Sequence, residues 1–257
     1  MPHVPRANRH IVPGYVYHLT HRCHDRQFLL KFACHRDGYR RRLREAVVAA
    51  DLSLLSYNIT SNHVHLLAYA EDSKQIALFM QQAAGEFARD YNRRKKRRGA
   101  FWEGRYHATM VDSGEYLWEC LNYVELNMVR CGVARHPREW AWSGYGELMG
   151  LRRRHRLLDV DKLLWLVGTK AVDEFRRNLE ASLQERIAKD QMKREPKWTE
   201  SIAVGGEGFV TKLEGQVRNR QNMEVVSEGQ TWVLRERYES VFEAKNRPIA
   251  TFKALKY

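Results

Sequence analysis

A chain of 257 residues is long enough to bury a substantial core, and its length favours a principal domain with a smaller appendage. Its 44 Lys and Arg against 31 Asp and Glu give a formal net charge of +13, the profile of a polyanion binder, with nucleic acid the leading partner. No apolar run approaches the ~20 residues that a bilayer span needs, and the opening residues 1–10 lack the apolar stretch of a secretory signal. No membrane role is therefore expected, and a cytoplasmic or nucleoid-associated protein is.

In chain order, residues 14–20 alternate well enough for a strand, with His18 inside it for no evident reason. From about residue 37 to 50, Leu43, Val47 and Val48 recur among arginines, which predicts an amphipathic helix with a basic outer face. Residues 52–59 read as a second strand, and Thr60-Ser61-Asn62 supplies turn chemistry before a third strand that begins at His63. The two strands are expected to form a hairpin.

Ser73 is a plausible N-cap for a long helix in which Ile76, Phe79, Met80, Ala83, Phe87 and Tyr91 keep helical spacing. That helix runs into Arg93-Arg94-Lys95-Lys96-Arg97-Arg98-Gly99. Such a run is most often a solvated segment. Its position beside Phe101, Trp102, Arg105 and Tyr106 points instead to phosphate contacts, from Arg93, Arg94, Lys95, Lys96 and Arg105, with Trp102 as a base-stacking platform. A further strand is expected over residues 104–111, then a helix over 114–130 capped by Ser113 and ended by Gly132.

Mixed strands and helices in this order predict an α+β fold, an antiparallel sheet covered on one side by helices, in a domain that ends near residue 155. Residues 156–257 are expected to form a small, basic, mostly helical accessory domain. It has a helical stretch over 160–193 interrupted at Gly168, a helical segment around 207–220, and weak alternation over 223–237 that suits a hairpin. Cys23, Cys34, Cys120 and Cys131 fit no CxxC spacing and read as small buried side chains. The pairs Cys23-His24 and Cys34-His35 lack the short ligand knuckle of a zinc module.

The chemistry concentrates in two places. On a strand, His63 and His65 share a face while Val64 and Leu66 point to the core, so the strand can offer two imidazoles to one metal ion. Tyr123 and Asn127 lie four apart on one helix face, beside the apolar stripe of Leu117, Leu121, Val124 and Met128. A bare HxH is usually structural, and so is a lone helix tyrosine. Combined on a basic chain, the groups outline a phosphoryl-transfer site in which His63, His65 and the Asn127 amide hold a divalent ion, Mg²⁺ or Mn²⁺, and Tyr123 is the nucleophile.

The stretches Ser61-Asn62-His63-Val64-His65-Leu66-Leu67, Ala100 to Tyr106, Asn122 to Gly132 and Trp140 to Tyr145 resemble, in order and spacing, the single-tyrosine HUH transposases, most closely the REP-associated tyrosine transposases of bacteria. The resemblance spans roughly residues 10–150. It implies a ferredoxin-like catalytic domain, His63 and His65 as the metal pair, Asn127 as a third ligand, and Tyr123 as a nucleophile that cuts single-stranded or hairpin DNA. The products it implies are a 5′-phosphotyrosine link and a free 3′-hydroxyl. REP-associated members act on hairpin-forming repeats and are generally not mobile with flanking ends of their own. Tyr91, Tyr106 and Tyr116 match no nucleophile motif, whereas Met128 and Cys131 stand where the family often has proline and alanine. Two other readings stay open: a domesticated regulator that binds nucleic acid without chemistry, and a metallo-phosphodiesterase in which water attacks. A monomer and a homodimer that shares its active sites are both compatible with the sequence.

Overall fold

The computed structural model describes residues 10–217 and 220–237. Its first half runs β1 (Tyr15–Arg22), α1 (Ala33–Ala50), β2 (Ser53–Ile59), β3 (His63–Ala70), α2 (Gln75–Met80), α3 (Glu86–Arg94) and β4 (His107–Val111). A π-type turn over Gln81–Gly85 joins α2 to α3, so the long helix expected here carries one widened turn. Strand β1 pairs antiparallel with both β3 and β4, and β2 pairs antiparallel with β3 as the expected hairpin. The order β2-β3-β1-β4 with two crossover helical segments is the ferredoxin-like arrangement, and the α+β class follows from it.

Alternation along β1 and β3 decides what each face carries. Tyr17, Leu19, Val64, Leu66 and Ala68 pack against Tyr39, Leu43, Phe79 and Phe87 of α1, α2 and α3. Burying each Val, Leu or Phe of this set contributes about 1.5–3 kcal/mol, and this face is where the four-strand unit keeps its helices. The opposite face is also apolar over part of its length, at Val16, Leu67 and Val111, and needs its own cover. That cover comes from α4 (Glu115–Glu125) through Leu117, Leu121 and Val124, and from later helices. Helices on a single face therefore describe α1 to α3 only.

After α4 come α5 (Asn127–Arg130), α6 (Tyr145–Leu148), α7 (Val160–Val167), α8 (Val172–Ala188), α9 (Lys197–Glu200), β5 (Ala203–Gly205), α10 (Glu207–Glu214), β6 (Met223–Glu228) and β7 (Thr231–Glu236). The break at Gly168 and the 223–237 hairpin are found, the glycine at φ 75° and the hairpin as β6 with β7. Beyond its helices, the C-terminal part adds three strands to the same sheet. Strand β5 pairs parallel with β4 and antiparallel with β7. At three residues β5 is too short to show a period of two, which is why the sequence did not announce it.

Three local expectations change. Ser73 does not cap α2, which starts at Gln75; instead Gln75 Oε1 accepts from the backbone N–H groups of Glu71 and Asp72. Gly114, at φ 65°, precedes α4 in place of a Ser113 cap. The tyrosine helix is interrupted at Leu126, where ψ is 0°, before α5 continues it. All four cysteines are free, but Cys34 and Cys131 are exposed, since one opens α1 on its outer side and the other ends α5 in a turn.

Candidate active site

His63 and His65 lie on the face of β3 that looks toward α4, α5 and α9, with ring centroids 5.0 Å apart. Tyr123 comes from the last turn of α4 and Asn127 from the first residue of α5, and both are buried. The Tyr123 ring lies 6.0 Å from the rings of both His65 and His18, and Asn127 Nδ2 lies 2.9 Å from His65 Nε2. The four residues named from the sequence thus converge at one place. Their spacing of four along the helix survives the break at Leu126.

Burial fixes the protonation of the imidazoles. It pushes His63 down to about 4, with Arg22 and Arg130 adding to the effect, and His18 down to about 3. His65 falls well below its ordinary value, through burial first and then its histidine neighbours. Neutral imidazole is the form that binds metal ions. His63 Nδ1 lies 2.7 Å from Asn62 Oδ1 and 3.0 Å from Thr60 Oγ1, so its Nδ1–H donates locally and Nε2 keeps its lone pair.

The donor set suits a divalent ion. Two neutral imidazoles meet an amide whose Oδ1 is buried with no hydrogen-bond partner among the described residues. A half-turn of that amide exchanges Oδ1 for Nδ2, which turns an orphaned acceptor into a hard ligand. Among the described residues no cluster of three or more His, Cys, Asp or Glu side chains is placed to hold a metal. The candidate set here is two histidines and one asparagine.

Arg130 lies in the same stretch as Tyr123 and Asn127, and its sequence position alone gives it no role. Its guanidinium lies 4.0 Å from the Tyr123 ring centroid and donates from Nη1 and Nη2 to the Tyr123 carbonyl oxygen, each at 3.3 Å. Burial raises the Tyr123 phenol above its ordinary value, and the charge of Arg130 draws it part of the way back. His18 and Trp198 are the other residues that the sequence left unassigned. The single available signal was a histidine in β1 on the same face as the HxH pair.

The expected DNA contacts divide. Arg93, Arg94, Lys95, Lys96 and Arg105 are exposed, with Arg93 paired to Asp90 at 2.6 Å. Arg93 and Arg94 end α3, and Lys95, Lys96 and Arg105 lie on the segment that follows it; that segment reaches β1 where the Glu103 N–H donates to the Arg22 carbonyl, opposite His63. Trp102 is different. It is buried, its indole N–H donates to the Ala84 carbonyl at 2.9 Å, and His21 stacks on it at 4.3 Å. An indole held this way is core, so the open stacking platform expected at Trp102 is absent.

The ferredoxin-like unit and the four grouped side chains lie in the part of the chain that is similar to known transposases. Residues 11–127 match the family model described as IS200-like transposase. A comparison with curated proteins finds no match. Among solved structures, a REP-associated tyrosine transposase bound to a REP hairpin is similar at 13% identity and a TM-score of 0.47, over 61% of this chain and 93% of that one. A putative transposase from Deinococcus radiodurans R1 is similar at 21% identity and a TM-score of 0.34, over 48% and 96% respectively. Likenesses at these scores carry no argument about function.

Proposed function

We propose that this protein is a metal-dependent, single-strand-specific DNA endonuclease and strand transferase that works through a covalent tyrosine intermediate on hairpin-forming DNA. The observation that carries the reading is the convergence of His63, His65, Asn127 and Tyr123 on one buried face, 6.0 Å separating the tyrosine ring from the His65 ring. The family match over residues 11–127 and the net charge of +13 support it.

His63, His65 and Asn127 would hold Mg²⁺ or Mn²⁺, which when bound polarises a phosphate and stabilises charge on its oxygens. Tyr123 keeps its proton at neutral pH, because burial raises its phenol. The phenol oxygen bonds to phosphorus as the bond from phosphorus to the 3′ oxygen breaks. The phenol gives up its proton to solvent and the freed 3′ oxygen takes one up to end as a hydroxyl, so one phosphoester has replaced another. Energy is conserved in the new link, so a 3′-hydroxyl can reverse the step and join strands without ATP. Arg130 steadies negative charge developing on the phenol oxygen through its position against the ring. The exposed cations Arg93, Arg94, Lys95, Lys96 and Arg105 take backbone phosphates. These groups all lie within residues 1–155, which we take as the catalytic unit, with 156–257 accessory to it.

The test is a labelled single-stranded hairpin from beside the gene, incubated with wild type or Tyr123→Phe in Mn²⁺ or EDTA and run on a denaturing protein gel. A labelled adduct that needs metal and disappears in the variant is expected. Cleavage without an adduct would mean that water attacks, and binding alone would mean a regulator.

A further inference from the structure

His63 is oriented by its own turn, through Thr60 and Asn62, but His65 is oriented from far away in the chain. Its Nδ1 lies 2.9 Å from Nε2 of His18, a fully buried residue of β1, and His18 Nδ1 lies 2.7 Å from the backbone carbonyl oxygen of Trp198. At the other end, His65 Nε2 lies 2.9 Å from Asn127 Nδ2. A carbonyl oxygen only accepts, so His18 Nδ1 carries a proton. An amide nitrogen only donates, so His65 Nε2 presents its lone pair. A single arrangement of the remaining proton then leaves every contact with one donor and one acceptor: His65 Nδ1–H donates to His18 Nε2. Starting from the Trp198 end, a neutral His18 leads to the same assignment whichever way the Asn127 amide is turned.

We propose that His18 is a positioning residue, held by the backbone of Trp198, that locks His65 in the tautomer whose Nε2 is free to bind a metal ion. The proposal rests on the reading of His63 and His65 as metal ligands. Ligating histidines characteristically donate their second ring N–H to an acceptor that fixes tautomer and direction, and here the acceptor is another imidazole. The anchor is itself secured. Trp198 is 1% exposed, and Thr109 Oγ1 of β4 lies 3.2 Å from the same carbonyl oxygen and 2.7 Å from that of Ser201. Three residues on from Ser201 the chain is already in β5, beside β4. Residues outside the 11–127 family match thereby finish the setting of a group inside it.

Two measurements on the full chain test this. Long-range ¹H–¹⁵N correlation spectra of the metal-free, ¹⁵N-labelled protein read each histidine tautomer; His18 and His65 should both be protonated on Nδ1 and bare on Nε2. A proton on His65 Nε2 overturns the proposal. Calorimetric titration with Mn²⁺ should show His18→Phe binding about 10–100-fold more weakly. His18→Gln should stay within several-fold of wild type, since its amide nitrogen can donate to the Trp198 carbonyl while its oxygen accepts from His65 Nδ1–H. Equal weakening in two variants that both remain folded by thermal melts also overturns it. Where His18→Phe does not fold, the spectra and His18→Gln decide. A wild type that takes up no Mn²⁺ refutes the metal-ligand reading, and the spectra still judge the tautomer lock.

Discussion

Strands β1 and β3 present two different solvents to their two sides. Toward α1 they show Tyr17, Leu19, Val64 and Leu66, apolar and dry; toward α4 and α9 they show His18, Thr20, His63 and His65. On the first side the requirement is volume, and any well-shaped apolar side chain meets most of it. On the second side each nitrogen must face a partner of opposite kind, so identity matters down to the position of one proton. One residue step along the strand separates the two regimes.

The sharpest way to break this comparison is to damage the dry side alone. Leu66 is fully buried there, and Leu66→Ala should cost about 2–5 kcal/mol of stability. Adduct formation per folded molecule should stay unchanged below the lowered melting temperature. A melt close to wild type with lost adduct would show that the two sides are not separable.

A second effect comes from Glu125, next to the site but not in it. Its carboxylate accepts from Ser56 Oγ at 2.6 Å and from the Tyr145 N–H at 3.0 Å, and burial pushes it up to about 7 against the pull of those hydrogen bonds. A carboxyl raised in the folded state contributes stability that is whole below its unfolded value near 4.5 and is lost as pH rises towards 7. The buried histidines act in the opposite sense, being lowered; their contribution is present above 6.5 and lost as pH falls towards 4. Glu125→Gln should therefore gain on wild type between pH 5 and pH 8, by on the order of 2–3 kcal/mol, in denaturant midpoints. A difference that does not change with pH would place the ionised carboxylate in the fold.

The smallest effects belong to the exposed cations. Lys95→Ala and Arg105→Ala should each weaken single-strand binding several-fold regardless of sequence and reduce the slope of log affinity against log salt by about 0.7. An unchanged slope would remove that residue from the phosphate path.

The candidate site was legible because its signals are local. A period of two placed His63 and His65 together, and a spacing of four placed Tyr123 with Asn127. The ferredoxin-like core was legible for the same reason, through amphipathic helices and a hairpin with turn residues between. What escaped needed distant partners. The role of His18 depends on a backbone carbonyl 180 residues away, which no side-chain pattern encodes. Trp102 looked available because an aromatic among basic residues resembles a stacking surface, yet Ala84, His21 and Tyr39 enclose it. Strand β5 owes its place to neighbours on both sides rather than to its three residues.

That span of 180 residues between His18 and Trp198 also has a consequence in time. Synthesis runs from the N-terminus, so the strand with both histidines and the helix with the tyrosine exist well before residue 198 is made. A half-finished chain holds the reactive groups without the carbonyl that closes their hydrogen-bond series. If His63 and His65 hold a metal ion as proposed, its full affinity would be reached only once residue 198 has been made and has folded back onto His18.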